Sequence, residues 1–399
     1  MNRISALATF HERWHNAAHD LGSSYSQTLP LSTLWAMATD DERLRWGSLA
    51  LDYTAPVGSP GLRALIAMRY LGLSPADIIC CAGAQEGMAS VANALLAPGD
   101  HAVIVLPIYQ PLERVVTDRV SATGVSLQAD LTLEPERVAA AIRPNTRLVL
   151  INFPNSPTGA ALDAARLTAL VTLCRAHGIW LANDEVYRQT ALELAPAAPQ
   201  VVDVYERGIS INSLSKGFGL PGLRVGWVAC RDALLRQRIV AAKAQTSSCL
   251  SAPAELLAEV ALREAPRLLG TARAIGLANR CCLDNLLDQH GDIFDPDPPQ
   301  NLAFGFPRYR GKGSAIRFAQ RLATRAGVLL LPSCLWRSRL GPVPEDGLRI
   351  ALGQLGTPAG LSALSDFLND EEKRGRTSPR RTIVAPGRGR PAANTPMRV

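Results

Sequence analysis

One lysine, Lys216, stands in a glycine-rich stretch between two apolar segments that have the character of β-strands. Ser213 precedes it by three residues, and Arg224 follows it by eight. A lysine on a short turn between buried strands is partly desolvated, which favours its neutral form and Schiff-base chemistry. The serine hydroxyl and the arginine fork are suited to hold a phosphate beside it. The spacing therefore indicates a reactive lysine next to an anion site.

Two other motifs overlap this stretch. The glycines of residues 217–222 match the dinucleotide-binding pattern, but that pattern opens a helix, whereas Pro221 and a β-like run over 223–230 follow here. Ser213 and Lys216 also match the acyl-serine signature of penicillin-binding proteins, but its Ser-Asp-Asn and Lys-Thr-Gly companions are absent from the sequence. This stretch alone is also compatible with an ordinary glycine-rich turn that carries a solvated lysine. The rest of the chain must distinguish the two interpretations.

The elements around these residues determine where their side chains can meet. From Asp77 onward, short β-like runs alternate with helical ones, as in an α/β layer fold. The β-like runs are 78–81, 102–106, 124–128, 148–153, 180–183, 208–212 and 224–230. A sheet of this kind binds ligands at the carboxyl ends of its strands, and the candidate residues follow those ends.

Two further features carry charge chemistry. Gly83, Ala84 and Gln85 come between the first β-like run and a helix. Small residues there let backbone N–H groups and the helix N-terminus hold an anion, although an ordinary strand-to-helix turn has the same composition. Arg349 lies in the apolar run 347–352, an unusual place for a charge that has no buried anionic partner.

Several of these motifs resemble the class I and II aminotransferase family, fold type I, in matching order over roughly residues 45–370. The stretch 210–227 is similar to the family's cofactor-lysine motif, and Asn152–Gly159 (NFPNSPTG) is similar to its P-x-N-P-T-G motif. Tyr109 resembles the aromatic residue that stacks on the cofactor ring. The resemblance implies an α/β fold with a mostly parallel seven-stranded sheet, a smaller C-terminal α/β domain, and pyridoxal 5'-phosphate (PLP) as cofactor.

The resemblance also implies a role for each candidate residue. Lys216 would bind PLP covalently and, once freed, move the substrate Cα proton as a base. Asp184 would keep the pyridine nitrogen protonated, with the Tyr187 phenol near the cofactor oxygen. Arg349 would bind the substrate α-carboxylate through a bidentate fork. The remaining cofactor contacts implied are Gly83, Ala84, Gln85, Tyr109, Ser156, Ser213, Arg224 and, from the partner subunit of a homodimer, Tyr53.

Ser156 departs from the family pattern. The family has an asparagine there, which bonds the cofactor's phenolic oxygen and the substrate carboxylate. The shorter serine leaves room for a bridging water, and Ser156 stays a candidate for both the cofactor and the substrate.

Three functions remain open at this stage. Family chemistry favours transamination between an L-amino acid and a 2-oxo acid. Segments 152–154, 205–208, 220–224 and 301–307 also resemble a subgroup containing capreomycidine synthase, which implies an eliminating, cyclising or arginine-oxidising enzyme. Against an arginine-like substrate, residues 22–31 contain no carboxylate. A non-catalytic scaffold acting through a basic tail is the third hypothesis, which the retained Lys216, Asp184, Tyr187 and Arg349 disfavour.

Composition limits the partners and the compartment. The 399 residues, 47% hydrophobic and 19% charged, are typical of a globular protein with two domains. Eight basic residues and no acid lie in residues 373–399, so the remaining 34 basic and 35 acidic residues disfavour nucleic-acid binding by the folded body. Eight cysteines without C-x-x-C spacing, and no signal peptide in residues 1–21, predict a cytoplasmic protein. No apolar run approaches the roughly 20 residues that span a membrane.

The predicted organisation has four parts: an N-terminal arm with helices (1–44), a large PLP-binding domain (45–285), a small C-terminal domain (286–372) and a disordered basic tail (373–399). A helix is expected over 6–21, and its His11 to His15 segment formally matches the H-E-x-x-H zinc motif. We favour an amphipathic arm that is rich in histidine and expect no metal.

Overall fold

The first elements of the chain form short helices and one two-residue strand. The computed structural model describes residues 5–192, 198–296 and 301–377, with side chains through residue 373. Helix α1 spans Ala6–Trp14 and strand β1 spans His19–Asp20. The helix expected over 6–21 is therefore wrong beyond Trp14, because the chain turns there and pairs β1 in parallel with Val328 and Leu329. Among the described residues, no group of three or more His, Cys, Asp or Glu could hold a metal ion.

Two short helices follow in the N-terminal arm. Helix α2 spans Leu31–Trp35 and α3 spans Asp40–Gly47. Thr39 starts the second helix through a capping box, in which its hydroxyl accepts from the Glu42 N–H and the Glu42 carboxylate accepts from the Thr39 N–H. This reciprocal pair satisfies two N–H groups that a helix start leaves free.

A seven-stranded sheet forms the centre of the fold. Its strands are β2 (Ile78–Cys81), β3 (His101–Leu106), β4 (Ser121–Ser126), β5 (Thr146–Asn152), β6 (Trp180–Asp184), β7 (Gly208–Ser213) and β8 (Gly226–Cys230). Their order is β2-β8-β7-β6-β5-β3-β4, and only β8 runs antiparallel to its neighbours. The predicted mostly parallel sheet is confirmed.

Helices cover both faces of this sheet. They are α4 (Pro60–Ala67), α5 (Ala84–Leu95), α6 (Gln110–Thr117), α7 (Pro135–Ala141), α8 (Ala164–His177), α9 (Val201–Val204), α10 (Ala233–Lys243), α11 (Ala252–Arg263) and α12 (Ala265–Gln289). Because side chains alternate along a strand, Ile211 and Val228 pack in the cluster that includes α5 and α10. Trp227 instead packs on the other face, in the cluster that includes α4 and α11.

A smaller α/β unit ends the described chain. It contains β9 (Phe304–Gly305), α13 (Ala315–Ala326), β10 (Val328–Leu329), β11 (Leu331–Pro332), β12 (Leu348–Ala351) and α14 (Thr357–Thr377). Strands β11, β12 and β9 form an antiparallel sheet in that order. Helix α14 continues to Thr377, into the segment predicted as a tail, and residues 378–399 of that prediction lie outside the described residues. No helix of the described chain is long and apolar enough to cross a membrane.

Candidate active site

Ten of the predicted site residues line one cavity of about 370 Å³. The cavity lies at the carboxyl ends of β5, β6 and β7, where the α/β rule places ligands. The ten residues are Ala84, Gln85, Tyr109, Ser156, Asp184, Tyr187, Ser213, Lys216, Arg224 and Arg349. Gly83 lies next to this lining, and Tyr53 lies elsewhere.

A serine hydroxyl connects the lysine and the tyrosine of the site. Lys216 Nζ and Tyr187 OH each donate to Ser24 Oγ over 3.0 Å. Although burial acts to raise it, the pKa of Tyr187 is lowered overall by the charges of Lys216 and Arg349 and by hydrogen bonds to Ser24 and Ser156. Ser24 was not predicted. The hydroxyl-rich segment 22–31 was visible in the sequence, but nothing in it indicated which serine would reach the lysine.

Asp184 ends strand β6 deep inside the molecule. Burial raises the pKa of its carboxyl group to about 6, against the opposing effects of the Val186 N–H and the Lys216 charge. Asp184 Oδ1 accepts from the Val186 N–H over 3.2 Å, and its backbone oxygen accepts from Asn152 Nδ2 over 2.8 Å. The carboxyl group is thus fixed in place, and a cationic ring nitrogen next to it would favour its ionised form.

The turn between β2 and α5 meets Arg224 closely. Gly83 has φ +96°, and a Cβ built on it would lie 2.5 Å from Arg224 Nη2. The arginine adopts a left-handed conformation (φ 54°) and donates to the backbone oxygens of Pro221 and Ala82 over 3.1 and 3.3 Å. Glycine is therefore required at 83 both for its backbone angle and for the space that the guanidinium occupies.

The loop after β5 is held by its own amides. Asn155 Nδ2 donates to the Pro107 oxygen over 2.9 Å, and Asn155 Oδ1 accepts from the Thr158 hydroxyl over 2.7 Å. Asn152 Oδ1 accepts from the Ser156 N–H over 3.0 Å. The last of these bonds uses the backbone N–H of Ser156. Its hydroxyl lies in the cavity, where it accepts from Arg349 Nη1 over 3.2 Å.

Arg349 is a buried cation that forms no ion pair with any residue whose position the structure describes. Its Nη2 donates to the Gly22 oxygen over 2.8 Å, while its Nε has no hydrogen-bond partner. The guanidinium lies 4.8 Å from the Trp336 ring centroid and 5.4 Å from that of Phe304. Burial lowers its pKa, against the raising effect of Tyr187, Asp20 and Tyr109. No carboxylate of the described chain forms an ion pair with it, so an anionic ligand would complete its coordination.

Tyr53 lies outside this cavity, on the surface of the same chain. Its side chain is 89% exposed. The loop that carries it is anchored at Thr54, whose hydroxyl donates to the Leu250 oxygen over 2.9 Å, and by the buried Lys243, which donates to the Pro56 and Ser248 oxygens over 2.8 and 2.9 Å. Tyr53 was predicted to act in the cavity of the partner subunit, and its place outside the cavity of its own chain leaves that prediction open.

The donor set of the cavity fits PLP. Ser213, Arg224 and the N-terminus of α5 at Ala84 and Gln85 provide hydroxyl, guanidinium and backbone N–H donors of the kind that hold phosphate. The space at Gly83 that a Cβ would fill belongs to the same cradle. Lys216 supplies an amine for the cofactor aldehyde, and these groups line one cavity with Asp184.

Comparison with known proteins gives a consistent result. Residues 23–364 match the family described as aminotransferase class I and II. The chain is 32% identical to an arginine–pyruvate transaminase of Pseudomonas aeruginosa, over 74% of this chain and 80% of that one. It is 29% identical to capreomycidine synthase of Streptomyces vinaceus, over 87% of this chain and 92% of that one. A PLP-dependent aminotransferase structure from Streptococcus suis superposes with a TM-score of 0.83 at 25% identity, covering 92% of this chain and 98% of that one.

The family match spans most of the chain, including both the lysine turn and the strand that carries Arg349. It confirms the resemblance to the aminotransferase family, and the alignment with capreomycidine synthase agrees with the subgroup seen in the sequence. The chain therefore belongs to the class I and II aminotransferase family and is a PLP-dependent transaminase.

Proposed function

We propose that this protein transaminates an L-amino acid, with a 2-oxo acid as acceptor, in the cavity that Lys216 and Arg349 line. One observation carries the proposal: a primary amine and a buried arginine that has no ion pair among the described residues line the same cavity. An amino acid presents a carboxylate for the arginine and an amino group that can exchange with the lysine. Both substrates of a transaminase carry that carboxylate, so a single arginine serves both half-reactions.

The residues of the cavity would divide the work as follows. Arg349 binds the α-carboxylate and thereby orients the Cα–H bond relative to Lys216. The lysine amine takes that proton and returns it at another position, and Ser24 holds the amine in place through its 3.0 Å contact. Asp184 keeps the ring nitrogen of the cofactor protonated, and Tyr187 donates to the cofactor oxygen. PLP, when bound, withdraws electrons from the substrate α-carbon.

An amino-acid panel tests this function. Purified protein supplied with PLP is mixed with single amino acids, including arginine and apolar ones, and with several 2-oxo acids, while absorbance and both products are followed. The cavity lining includes Leu7, Tyr25 and Leu112, and Asp184 is the only carboxylate among the described lining residues. We expect amino-group transfer that requires both substrates and that Lys216→Ala abolishes. Borohydride reduction should attach the cofactor to Lys216, and attachment to another lysine would contradict the assignment.

Elimination or cyclisation is the second candidate, and Ser156 favours it. The serine replaces the family's asparagine, and its hydroxyl meets Arg349 over 3.2 Å. If one hydrogen bond to the substrate carboxylate becomes water-mediated, the restraint weakens by about 1 kcal/mol. A substrate with a leaving group on its side chain could then lose it before reprotonation. The similarity to capreomycidine synthase supports this candidate.

Product analysis separates the two candidates. A cyclising or eliminating enzyme should release a cyclic product or ammonia without consuming a 2-oxo acid, and Ser156→Asn should move its products toward transamination. A transaminase should require a stoichiometric 2-oxo acceptor, and Ser156→Asn should change only its rate.

A homodimer is the assembly that we propose for the active protein. Tyr53 is exposed, and large exposed apolar side chains accumulate in the same part of the chain, at Leu44, Leu51, Met68 and Leu71. Exposed apolar side chains of this size are of the kind that a protein interface covers. Tyr53 would then enter the cavity of the second subunit, beside the phosphate cradle.

The cytoplasm is the compartment that we propose. All eight cysteines are free thiols, and Cys80, Cys81, Cys174 and Cys230 are buried. Unpaired thiols of this kind are typical of reducing compartments.

A further inference from the structure

A second cavity, of about 360 Å³, is lined by Asn212 of strand β7 and by Gln189, which lies close to Gly217 of the lysine turn. It shares no lining residue with the active-site cavity. The two approach each other at the end of β7, where Asn212 lines the second cavity and Ser213 lines the first. Trp227, which pairs with Asn212 across β7 and β8, lines the second cavity as well.

Three arginines give this second cavity its charge. Arg69 follows α4, Arg188 follows Tyr187, and Arg273 lies on α12. None of the three forms an ion pair with a carboxylate of the described chain within 4.0 Å. Arg188 donates to the Ala198 oxygen over 2.9 Å, and the Arg69 guanidinium lies 5.2 Å from the Phe218 ring centroid. Guanidinium groups that line one cavity favour an anion between them.

Asp203 and Glu185, which interact electrostatically with Arg188, are held by other partners. Asp203 Oδ1 accepts from the Leu71 N–H over 2.9 Å. Glu185 Oε1 accepts from the Ser210 hydroxyl over 2.9 Å and from the Val201 N–H over 3.2 Å. Neither carboxylate lines the cavity, so Arg188 is partly compensated from outside it, while Arg69 and Arg273 form no ion pair in the described chain.

A buried amide in the wall provides an independent sign of a ligand. Asn212 is 1% exposed, and its Nδ2 has no hydrogen-bond partner in the described chain. Its Oδ1 already accepts from the Ser213 N–H over 2.8 Å, which leaves the amide hydrogens for a group in the cavity. The indole N–H of Trp227, by contrast, is satisfied by Tyr70 OH over 2.7 Å. A buried donor without a partner costs about 1–3 kcal/mol, which an acceptor in the cavity would offset.

We propose that this cavity binds a small anion with at least two negative charges, a phosphate ester or a polycarboxylate, held by Arg69, Arg188 and Arg273. Asn212 Nδ2 donates to one of its oxygens. Three cations against a single carboxylate would leave excess positive charge, whereas a multiply charged oxyanion balances them. The volume lies within the range of small-molecule sites. The site is separate from the substrate cavity and does not depend on the function proposed above.

Calorimetric titration with citrate and with pyrophosphate tests the site. The protein is borohydride-reduced holoenzyme, so that the cofactor fills the phosphate cradle, and it carries Arg349→Gln, so that the substrate cavity does not capture carboxylates. Potassium chloride at matched ionic strength is the blank. We expect saturable binding of one anion per chain that weakens about tenfold or more with Arg273→Glu. Arg267→Glu, which reverses an exposed arginine on the same helix outside the cavity, is the matched control and should leave binding unchanged.

The pattern of the results is decisive. Binding of citrate alone identifies a polycarboxylate site, binding of pyrophosphate alone identifies a phosphate site, and binding of both identifies a site that recognises charge. Each supports the proposal if Arg273→Glu abolishes or weakens it selectively. Absence of saturable binding above the chloride blank overturns the proposal. So does binding that survives Arg273→Glu, or that falls equally with Arg267→Glu.

Discussion

Three buried ionisable side chains in and near the active site differ in how their charge is compensated. Asp184 lines the same cavity as the Lys216 amine. Glu185 is buried behind it, where hydrogen bonds hold Oε1 while Oε2 has no partner in the described chain. Among the described residues, Arg349 donates hydrogen bonds to the neutral oxygens of Gly22 and Ser156 and forms no ion pair. Substitution of each residue should therefore affect a different property, such as substrate binding for Arg349 and the pH dependence of stability for Glu185.

Replacing Arg349 should weaken substrate binding. With Arg349→Gln, the carboxylate of the amino acid loses its charge-assisted pair, at a cost of about 2–5 kcal/mol. We expect most of this loss in KM for both the amino acid and the 2-oxo acid, measured by steady-state kinetics. Arg337→Gln is the control, because Arg337 is an exposed arginine of the same unit whose ion pair with Glu345 is also exposed. Equal kcat/KM values for Arg349→Gln and wild type would remove Arg349 from the site.

Glu185 should make the cofactor-free protein less stable as the pH rises. Burial raises its pKa from about 4.5 to about 7, so the folded state binds its proton more tightly than the unfolded chain does. The resulting stabilisation is complete below about pH 4.5 and is lost as the pH rises through about 7, with a limit of about 3 kcal/mol. Glu185→Gln should reduce this dependence, seen in the change of Tm between pH 5 and 8, while the part due to Asp184, whose pKa is raised to about 6, remains.

The exposed Glu136→Gln is the control for that measurement and should leave the pH dependence of Tm at its wild-type value. If Glu185→Gln and wild type lose Tm in parallel between pH 5 and 8, the glutamate is already ionised in the folded protein at the lower pH.

At the scale of elements, the turn from β2 into α5 supplies backbone N–H groups to the phosphate cradle. Gly226 on β8 also approaches it, because a Cβ there would lie 2.6 Å from the Ala84 nitrogen. The turn is therefore packed between Arg224 on one side and β8 on the other. Its geometry leaves no room for side chains at either glycine.

Gly83→Ala should weaken PLP binding by about tenfold or more, because the new methyl group displaces the Arg224 guanidinium. Gly99→Ala is a matched control: its φ of +94° is close to the +96° of Gly83, but no atom lies within 4 Å of the added Cβ. Both variants carry a similar backbone strain of about 1–3 kcal/mol. Titration of the cofactor-free proteins with PLP measures the difference, and equal affinities would show that Arg224 does not need the space at 83.

Most strands were predictable because they are short apolar runs bounded by turn residues, and the structure keeps Asp184 and Ser213 at strand ends. The run predicted over 124–128 is instead observed as β4, Ser121–Ser126, which is less apolar. The ends of the helices were less predictable. The sequence gives no sign that Trp14 ends α1, since the strand that follows depends on Val328 and Leu329 far along the chain. Ser24 was missed for the same reason, because it lies 192 residues from Lys216 in sequence.

At the scale of the whole molecule, the active site draws on distant parts of the chain. Ser24 and Gly22 come from the segment after β1, Lys216 from the large sheet and Arg349 from the small unit. Lys216 and Arg349 were predicted as site residues from the sequence. The contribution of residues 22–24 was not. Tyr53 remains apart from them in a single chain.

A test of the shared site uses two inactive variants. Tyr53→Ala and Lys216→Ala homodimers should each have little activity. Mixing and exchanging their subunits should restore some, because each hybrid contains one cavity with both residues intact. Light scattering coupled to size-exclusion chromatography reports the mass of the species. A fully active monomer, or exchange that restores no activity, would contradict the shared cavity.

The Ser24 hydroxyl accepts from both Lys216 and Tyr187, so its own hydrogen remains available for donation to a third group. When Lys216 becomes bonded to the cofactor, one of those two donors changes, and the serine must redistribute its remaining bonds. The segment around it is also tied to the lysine turn through the Ser26 N–H and the Lys216 oxygen, over 3.0 Å. Cofactor loading is thereby coupled to the order of the N-terminal arm: by reciprocity, whatever loosens the arm also loosens the hold on the cofactor.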